Sequence, residues 1–200
     1  MPSTAFDVLV LGAGGVGSAA LYHLTCRGIR AAAIDRFRPP HIHGSSHGQT
    51  RIIRQAYFEH PNYVPLLQRS YQLWREIEAA SQRRLYHEIG LVEIGPEDGV
   101  VLSGVIRAAQ EFDLELDRFS PAEASRLFPQ LMIPEEHTVA FERRAGYLLV
   151  EDCVAAFLET AQRRGAQLFA DTKVVSWRRD GDGYIVKTSR GDYRASKLVI

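Results

Sequence analysis

Sulfur is scarce in this chain: two cysteines and two methionines stand among 200 residues. Cys26 and Cys153 are too few and too far apart for a metal cluster or a disulfide framework. Both fall within helical patterns and are expected as buried thiols of a reducing, cytoplasmic compartment. A surplus of charge is missing too, since 24 Lys and Arg balance 24 Asp and Glu. That balance gives no sign of the basic face that a nucleic acid or an anionic membrane would require. No apolar run approaches the roughly 18 residues of a membrane span. Residues 1–5 are not read as a signal peptide, because the first apolar run is patterned as a strand. Internal repeats and low-complexity linkers are absent as well. What remains is 46% hydrophobic and 24% charged, an ordinary soluble composition. Two hundred residues suffice for one large domain or the start of a two-domain chain.

The stretch that organises the rest runs to Asp35. Phe6–Leu11 is short, apolar and branched, as a strand buried on both faces should be. The turn Gly12-Ala13-Gly14-Gly15-Val16-Gly17 follows, then a helical run Ser18–Leu24 stopping near Gly28, then Ala31–Ile34 and Asp35. Strand, glycine turn, helix, strand and acid in this order form the dinucleotide fingerprint. Gly12 permits the tight turn, Gly14 lets the backbone approach a diphosphate, and Gly17 allows close helix–sheet packing. The helix N-terminus offers unpaired N–H groups to phosphate. Asp35, 18 residues past Gly17, is placed to accept both ribose hydroxyls and to repel a 2′-phosphate. The fingerprint by itself does not separate FAD from NAD.

Arg36-Phe37-Arg38-Pro39-Pro40 reads as loop, and His41 to Thr50 is polar and glycine-rich. His41, His43 and His47 have no acid or thiol among them, so a metal site is not expected. Arg51 and Arg54 flank Ile52-Ile53, which suggests partial burial, and a buried arginine needs an anion. In an extended segment the two arginines would point to opposite faces; in a helical turn they would share one. A structural salt bridge is the bland alternative to a bound anionic ligand. Residues 62–81 carry Val64, Leu67, Tyr71, Trp74 and Ile77 on one stripe, read as helix core rather than a ligand box. Strands are expected at 85–89 and 91–94, a surface helix at 99–112, and a further strand at 114–116. Ser120-Pro121-Ala122-Glu123 has the cap, proline and glutamate of a helix start, with an end by Phe128-Pro129. Short strands at 138–141 and 146–149 precede a helix at 151–164. Then follow a strand at 167–170, an alternating meander from 173 with turns at 180–183 and 190–192, and a final strand at 195–200. That order is the one found in flavoproteins rather than in plain nicotinamide dehydrogenases. The last strand breaks off without a turn, and the chain is expected to continue beyond Ile200.

With these residues on view the chain resembles the N-terminal half of the monomeric sarcosine oxidase family. That family also includes N-methyltryptophan and pipecolate oxidases, among the glycine-oxidase-like FAD amine oxidases. The markers are Gly12-x-Gly14-x-x-Gly17 with Asp35, Pro39-Pro40-His41, the long block from Gly44 to Tyr57, Tyr63-Val64-Pro65-Leu66 and Gly90-Leu91-Val92. Ser46 and Gln49 stand where sarcosine oxidases commonly carry His and Asp, nearer the pipecolate pattern.

The resemblance implies an α/β fold: a Rossmann-like FAD-binding domain of the GR2/DAO type, formed by 1–84 and 146–200. It implies part of a smaller α+β substrate domain at 85–145. It implies oxidation of a secondary α-amino acid, the neutral amine passing a hydride to flavin N5 and O2 being reduced to H2O2. Arg54 would bind the substrate carboxylate, and Arg51 and His47 would lie beside the isoalloxazine. The cofactor set is Gly12, Ala13, Gly14, Gly15, Val16, Gly17, Asp35, Arg36, Ser45, Ser46, Thr50 and Val174, the last meeting adenine through its backbone. A covalent flavin would need a cysteine outside these residues. A monomer without nucleic-acid or membrane partners is expected, and the 200 residues alone are expected not to turn over. An NAD-dependent dehydrogenase and a non-catalytic flavin-binding protein are the rival readings.

Overall fold

The computed structural model of the chain describes residues 5–200. The expectation for residues 1–5 therefore concerns positions that, Ala5 apart, lie outside the described residues. The chain divides into two compact units. One comprises the residues up to Thr50 with Ile77–Leu85 and Leu149–Ile200, and the other Arg51–Glu76 with Tyr86–Leu148.

In the first unit β1 (Ala5–Leu11), α1 (Gly15–Cys26) and β2 (Ala31–Ile34) form the expected crossover. The side chains of Phe6, Val8, Leu9 and Val10 on β1 and all four residues of β2 are buried, so these apolar runs suit a sheet covered on both faces. The helix starts at Gly15, so the end of the glycine turn is its first turn. It stops where expected, with Gly28 at φ +71°. Tyr22 on α1 packs on Phe157 of α5 (Val150–Arg163), with ring centroids 5.5 Å apart.

The sheet has six strands in the order β10-β11-β12-β1-β2-β9, where β9 is Gln167–Phe169, β10 Val174–Asp180, β11 Gly183–Thr188 and β12 Gly191–Val199. The meander's third strand and the separate final strand expected after it are one element. β12 pairs antiparallel with β11 (Tyr184↔Ala195) and parallel with β1 (Val10↔Val199). No turn residue follows Asp192 to break it. β2 pairs with β1 on the other side (Leu11↔Ile34), so the chain leaves β1 in one direction and returns in the other.

The second unit holds two three-stranded sheets. One has the order β3-β8-β4, from Thr50–Ile53, Gly146–Leu149 and Tyr86–Glu88. The other has the order β5-β7-β6, from Leu91–Gly95, Thr138–Glu142 and Leu116–Phe119. β6 begins at Leu116, two residues later than the run expected at 114, and Leu114 packs instead against the buried cluster of Ala56, Leu102, Val105 and Ala140. The helix α3 (Val100–Glu111), expected on the surface, buries Leu102, Gly104, Val105, Ala108 and Ala109. Its 3–4 spacing of small and branched residues makes that stripe. Ser120 and Glu123 close both hydrogen bonds of a capping box at α4 (Pro121–Leu127).

Residues 51–76 fall in the second unit, because Arg54 bonds to β5 and the amides of Gln55 and Ala56 bond to β7. One further expectation is corrected, the burial of Cys26. Cys26 is exposed, one residue around α1 from the buried Thr25 and so off the packed stripe. Cys153 is buried as expected, and burial pushes its thiol up to about 12.

Candidate functional site

The cavity of the first unit lies where β1, β2 and β12 end. In open α/β sheets that point, where strand order reverses, is where ligands bind. It measures about 480 Å³ and is lined by Gly12, Gly14–Gly17, Asp35, Pro39–His41, Gly44–Ser46 and the ends of β1 and β12. Gly17 is required by close approach: a Cβ there would stand 1.9 Å from the Gly12 carbonyl oxygen, and that neighbour is backbone and cannot swing aside. Gly12, at φ +100°, makes the turn. The N-cap residue of α1, Gly14, has no side chain to cap it, and the Gly15 amide donates instead to Ser46 Oγ at 2.9 Å. A phosphate-sized anion therefore meets a helix N-terminus, a glycine backbone and one serine hydroxyl.

Asp35 is buried, and its oxygens are engaged already. Oδ2 accepts from the Ala13 amide at 2.7 Å, and Oδ1 accepts from the Phe37 amide at 2.9 Å. His41 Nε2 lies 3.2 Å from Oδ1. Asp35 thus ties the glycine turn to the loop after β2. Two of about four lone-pair directions on the Asp35 carboxylate are thus taken by backbone amides. Beside it a second cavity of about 390 Å³ brings Arg36, Phe37, His43, Lys173 and Val174 together. Phe37 and His43 stack at 3.9 Å, and Arg36 lies over Phe37 at 5.3 Å. Arg36 and Val174, both expected as cofactor residues, line this one cavity.

The loop carrying Ser45, His47 and Thr50 is held by an acid the sequence did not single out. Glu151, at the start of α5, accepts from the amides of Gly48 (2.7 Å) and Gln49 (3.1 Å). Desolvation works upward on its carboxyl, but these backbone N–H groups hold it below the usual range. Gln49 takes φ +68° and Gly48 φ +94°, the left-handed turn that lets both amides face one carboxylate.

Arg51 and Arg54 stand in the second unit. β3 is extended there, with Arg51 exposed within it and Arg54 half-buried just after it. Arg54 lines a cavity of about 350 Å³ with Tyr57, Leu67, Ser70 and Trp74. Its guanidinium carbon lies 4.8 Å from the Tyr57 ring centroid and 5.4 Å from that of Phe58. On α2 (Val64–Ser81), Leu67 and Trp74 thus line a cavity, whereas Val64, Tyr71 and Ile77 of the same stripe are core. The anion that a buried arginine requires is Glu93, at 2.8 Å from Nη1, with Glu59 3.8 Å from Nη2. Glu142 accepts from the Gln55 (2.6 Å) and Ala56 (3.0 Å) amides. Burial raises the carboxyls of both Glu93 and Glu142. Nothing in the sequence marks Glu93 and Glu142 as partners of this segment beyond an acid at one position of each otherwise apolar strand. Among the described residues no three His, Cys, Asp or Glu side chains gather as a metal site.

Over 198 residues the chain is 41% identical to the monomeric sarcosine oxidase of Streptomyces avermitilis, covering 99% of this chain and 52% of that protein. It is 36% identical over 196 residues to the N-methyl-L-tryptophan oxidase of Salmonella enteritidis, covering 98% and 52%. Among solved structures, a Tyr258Phe mutant of NikD, an amino acid oxidase of nikkomycin biosynthesis, superimposes with a TM-score of 0.87 at 30% identity, over 97% of this chain and 50% of that one. The chain spans about half the length of the curated relatives it matches. The sequence profile of the FAD dependent oxidoreductases (DAO) matches residues 7–200, end to end across the glycine cradle and the Arg54 cavity, and the chain belongs to that family.

Proposed function

We propose that this chain carries the cofactor-binding part and half the substrate site of an oxidase of secondary α-amino acids, N-methylated or cyclic. The observation that carries the reading is Arg54, a guanidinium lying over the rings of Tyr57 and Phe58 and lining an otherwise largely apolar cavity. Such a fork binds one carboxylate in two parallel hydrogen bonds and fixes its plane. Stacking on Tyr57 and Phe58 limits the rotation of the fork, so the carboxylate orients the rest of the amino acid.

FAD, when bound, would accept one hydride, that is one proton with two electrons, from the carbon beside the substrate nitrogen, and O2 would take those two electrons and two protons to leave as H2O2. The chain's own residues hold and orient. Gly12 to Gly17 and the start of α1 are assigned to the diphosphate, Asp35 to the ribose, and Arg36 and Val174 to the adenosine end. Ser45, Ser46 and Thr50 are assigned to the remainder of the cofactor, with His47 and Arg51 beside its ring system. The first unit is then the cofactor domain and the second belongs to the substrate domain. A cytoplasmic monomer completes the reading.

The test is the visible absorption spectrum of the intact gene product during anaerobic addition of sarcosine, then pipecolate. Bleaching of the flavin band by either supports the oxidase and names the substrate class. A flavin band that neither amine bleaches removes the substrate. The Arg54–Glu93 ion pair favours one second reading, a flavoprotein in which Arg54 is structural. Arg54→Met separates the two: the oxidase loses substrate binding and keeps flavin, whereas a structural Arg54 takes stability and flavin with it.

A further inference from the structure

Arg54 faces more negative charge than it balances. Glu93 lies on Nη1 at 2.8 Å and Glu59 lies 3.8 Å from Nη2. Glu142, close by on β7, already holds two backbone amides. The Glu93 side chain is nine-tenths buried, at 10% exposure, and its second oxygen, Oε2, has no hydrogen-bond partner. A buried carboxylate oxygen without a donor is costly, and protonation relieves that cost at once. A substrate carboxylate arriving at the same guanidinium would put two carboxylates on one cation in a desolvated place. Like charges so placed do not both stay ionised.

Resting on the oxidase reading, we propose that Glu93 is a positioning residue that competes with the substrate carboxylate for Arg54 and yields the guanidinium by taking up one proton. The balance closes within the complex. An α-amino acid arrives as a zwitterion with a protonated amine, and hydride loss requires that amine neutral. One proton leaves nitrogen and one joins Glu93, with no other reactant. The charged groups facing Glu93 are Arg54, Glu59 and Glu142. Burial already holds the Glu93 carboxyl above the glutamate range, with Glu142 and Glu59 adding to the rise and Arg54 opposing it.

The probe is propanoate, a carboxylate with no amine to oxidise, titrated calorimetrically into the intact flavin-loaded protein in buffers of different ionisation enthalpy. The expected result is uptake of close to one proton per propanoate bound, with affinity falling about tenfold per pH unit above the Glu93 transition. Glu93→Gln should abolish the uptake, flatten the pH profile and bind propanoate about tenfold or more tighter at pH 8. Binding without proton uptake in the unaltered protein overturns the proposal while leaving the oxidase reading intact. A Glu93→Gln protein that binds propanoate more weakly overturns it too, since Glu93 would then support Arg54. If neither protein binds propanoate, Arg54 is no carboxylate anchor, and both readings fall.

Discussion

In the first unit, backbone donors at the start of α1 line a cavity whose one carboxylate, Asp35, is turned onto the amides of Ala13 and Phe37. In the second, Arg54 and the amides of Gln55 and Ala56 all end on glutamates of the same unit. The difference is one of preorganisation. The glycine cradle presents positive potential with its geometry set by backbone, and the one amide already engaged there, that of Gly15, is held by a neutral hydroxyl, Ser46 Oγ. The arginine carries its own counter-ion, Glu93 on Nη1, so a carboxylate that binds it meets a carboxylate already in place.

The largest effect should come from filling the cradle. Gly17→Val drives a side chain into the Gly12 carbonyl, and we expect a loss of about 3 kcal/mol of stability together with the flavin. Denaturant titration and the visible flavin band read both. A variant that stays yellow and stable would remove the close-approach argument. Glu142→Ala strips two buried amides of their acceptor, with an expected cost of about 3 kcal/mol by the same titration. A cost below 1 kcal/mol would mean that water replaces the carboxylate.

A smaller effect separates the units by pH. Burial favours the neutral form of Glu93 in the folded chain. Its ionisation in the unfolded chain starts first as pH rises, so the fold loses stability from the ordinary glutamate value up to the raised one. Glu93→Gln should therefore gain stability relative to the parent protein as pH rises through that window. Glu151 is shifted the other way, so its contribution is present above the ordinary value and lost as pH falls through the lowered one. Glu151→Gln should lose ground relative to the parent as pH rises. Parallel slopes for the two variants would break the contrast. The smallest change is Ser46→Ala, which removes the acceptor of the Gly15 amide and should cost about 1 kcal/mol, read as a modest fall in unfolding midpoint.

What could be read early was local. The β1–α1–β2 crossover, the stop at Gly28, the capping box at Ser120 and the amphipathic face of α5 each rest on residues within a turn or two of one another. Their physics is complete in a short window. The family resemblance, carried by Gly12 to Gly17 and the block from Gly44 to Tyr57, likewise sits in contiguous sequence. The match across residues 7–200 decides for FAD where the fingerprint left NAD open.

The sequence by itself determined the cradle, because a glycine turn between a buried strand and a helix has one low-strain arrangement. It also marked Arg54 as a cation that would need an anion. Only the tertiary structure decided which anion. Glu93 lies 39 positions from Arg54, Glu142 lies 87 from Gln55, and Glu151 lies 103 from Gly48. An acid in an apolar strand looks alike whether it caps a loop, feeds an amide pair or holds an arginine. Register and strand order supply the partner, and the partner and burial set the charge state. The same cause put residues 51–76 in the second unit and turned Cys26 outward, since both depend on which face the packed neighbour covers.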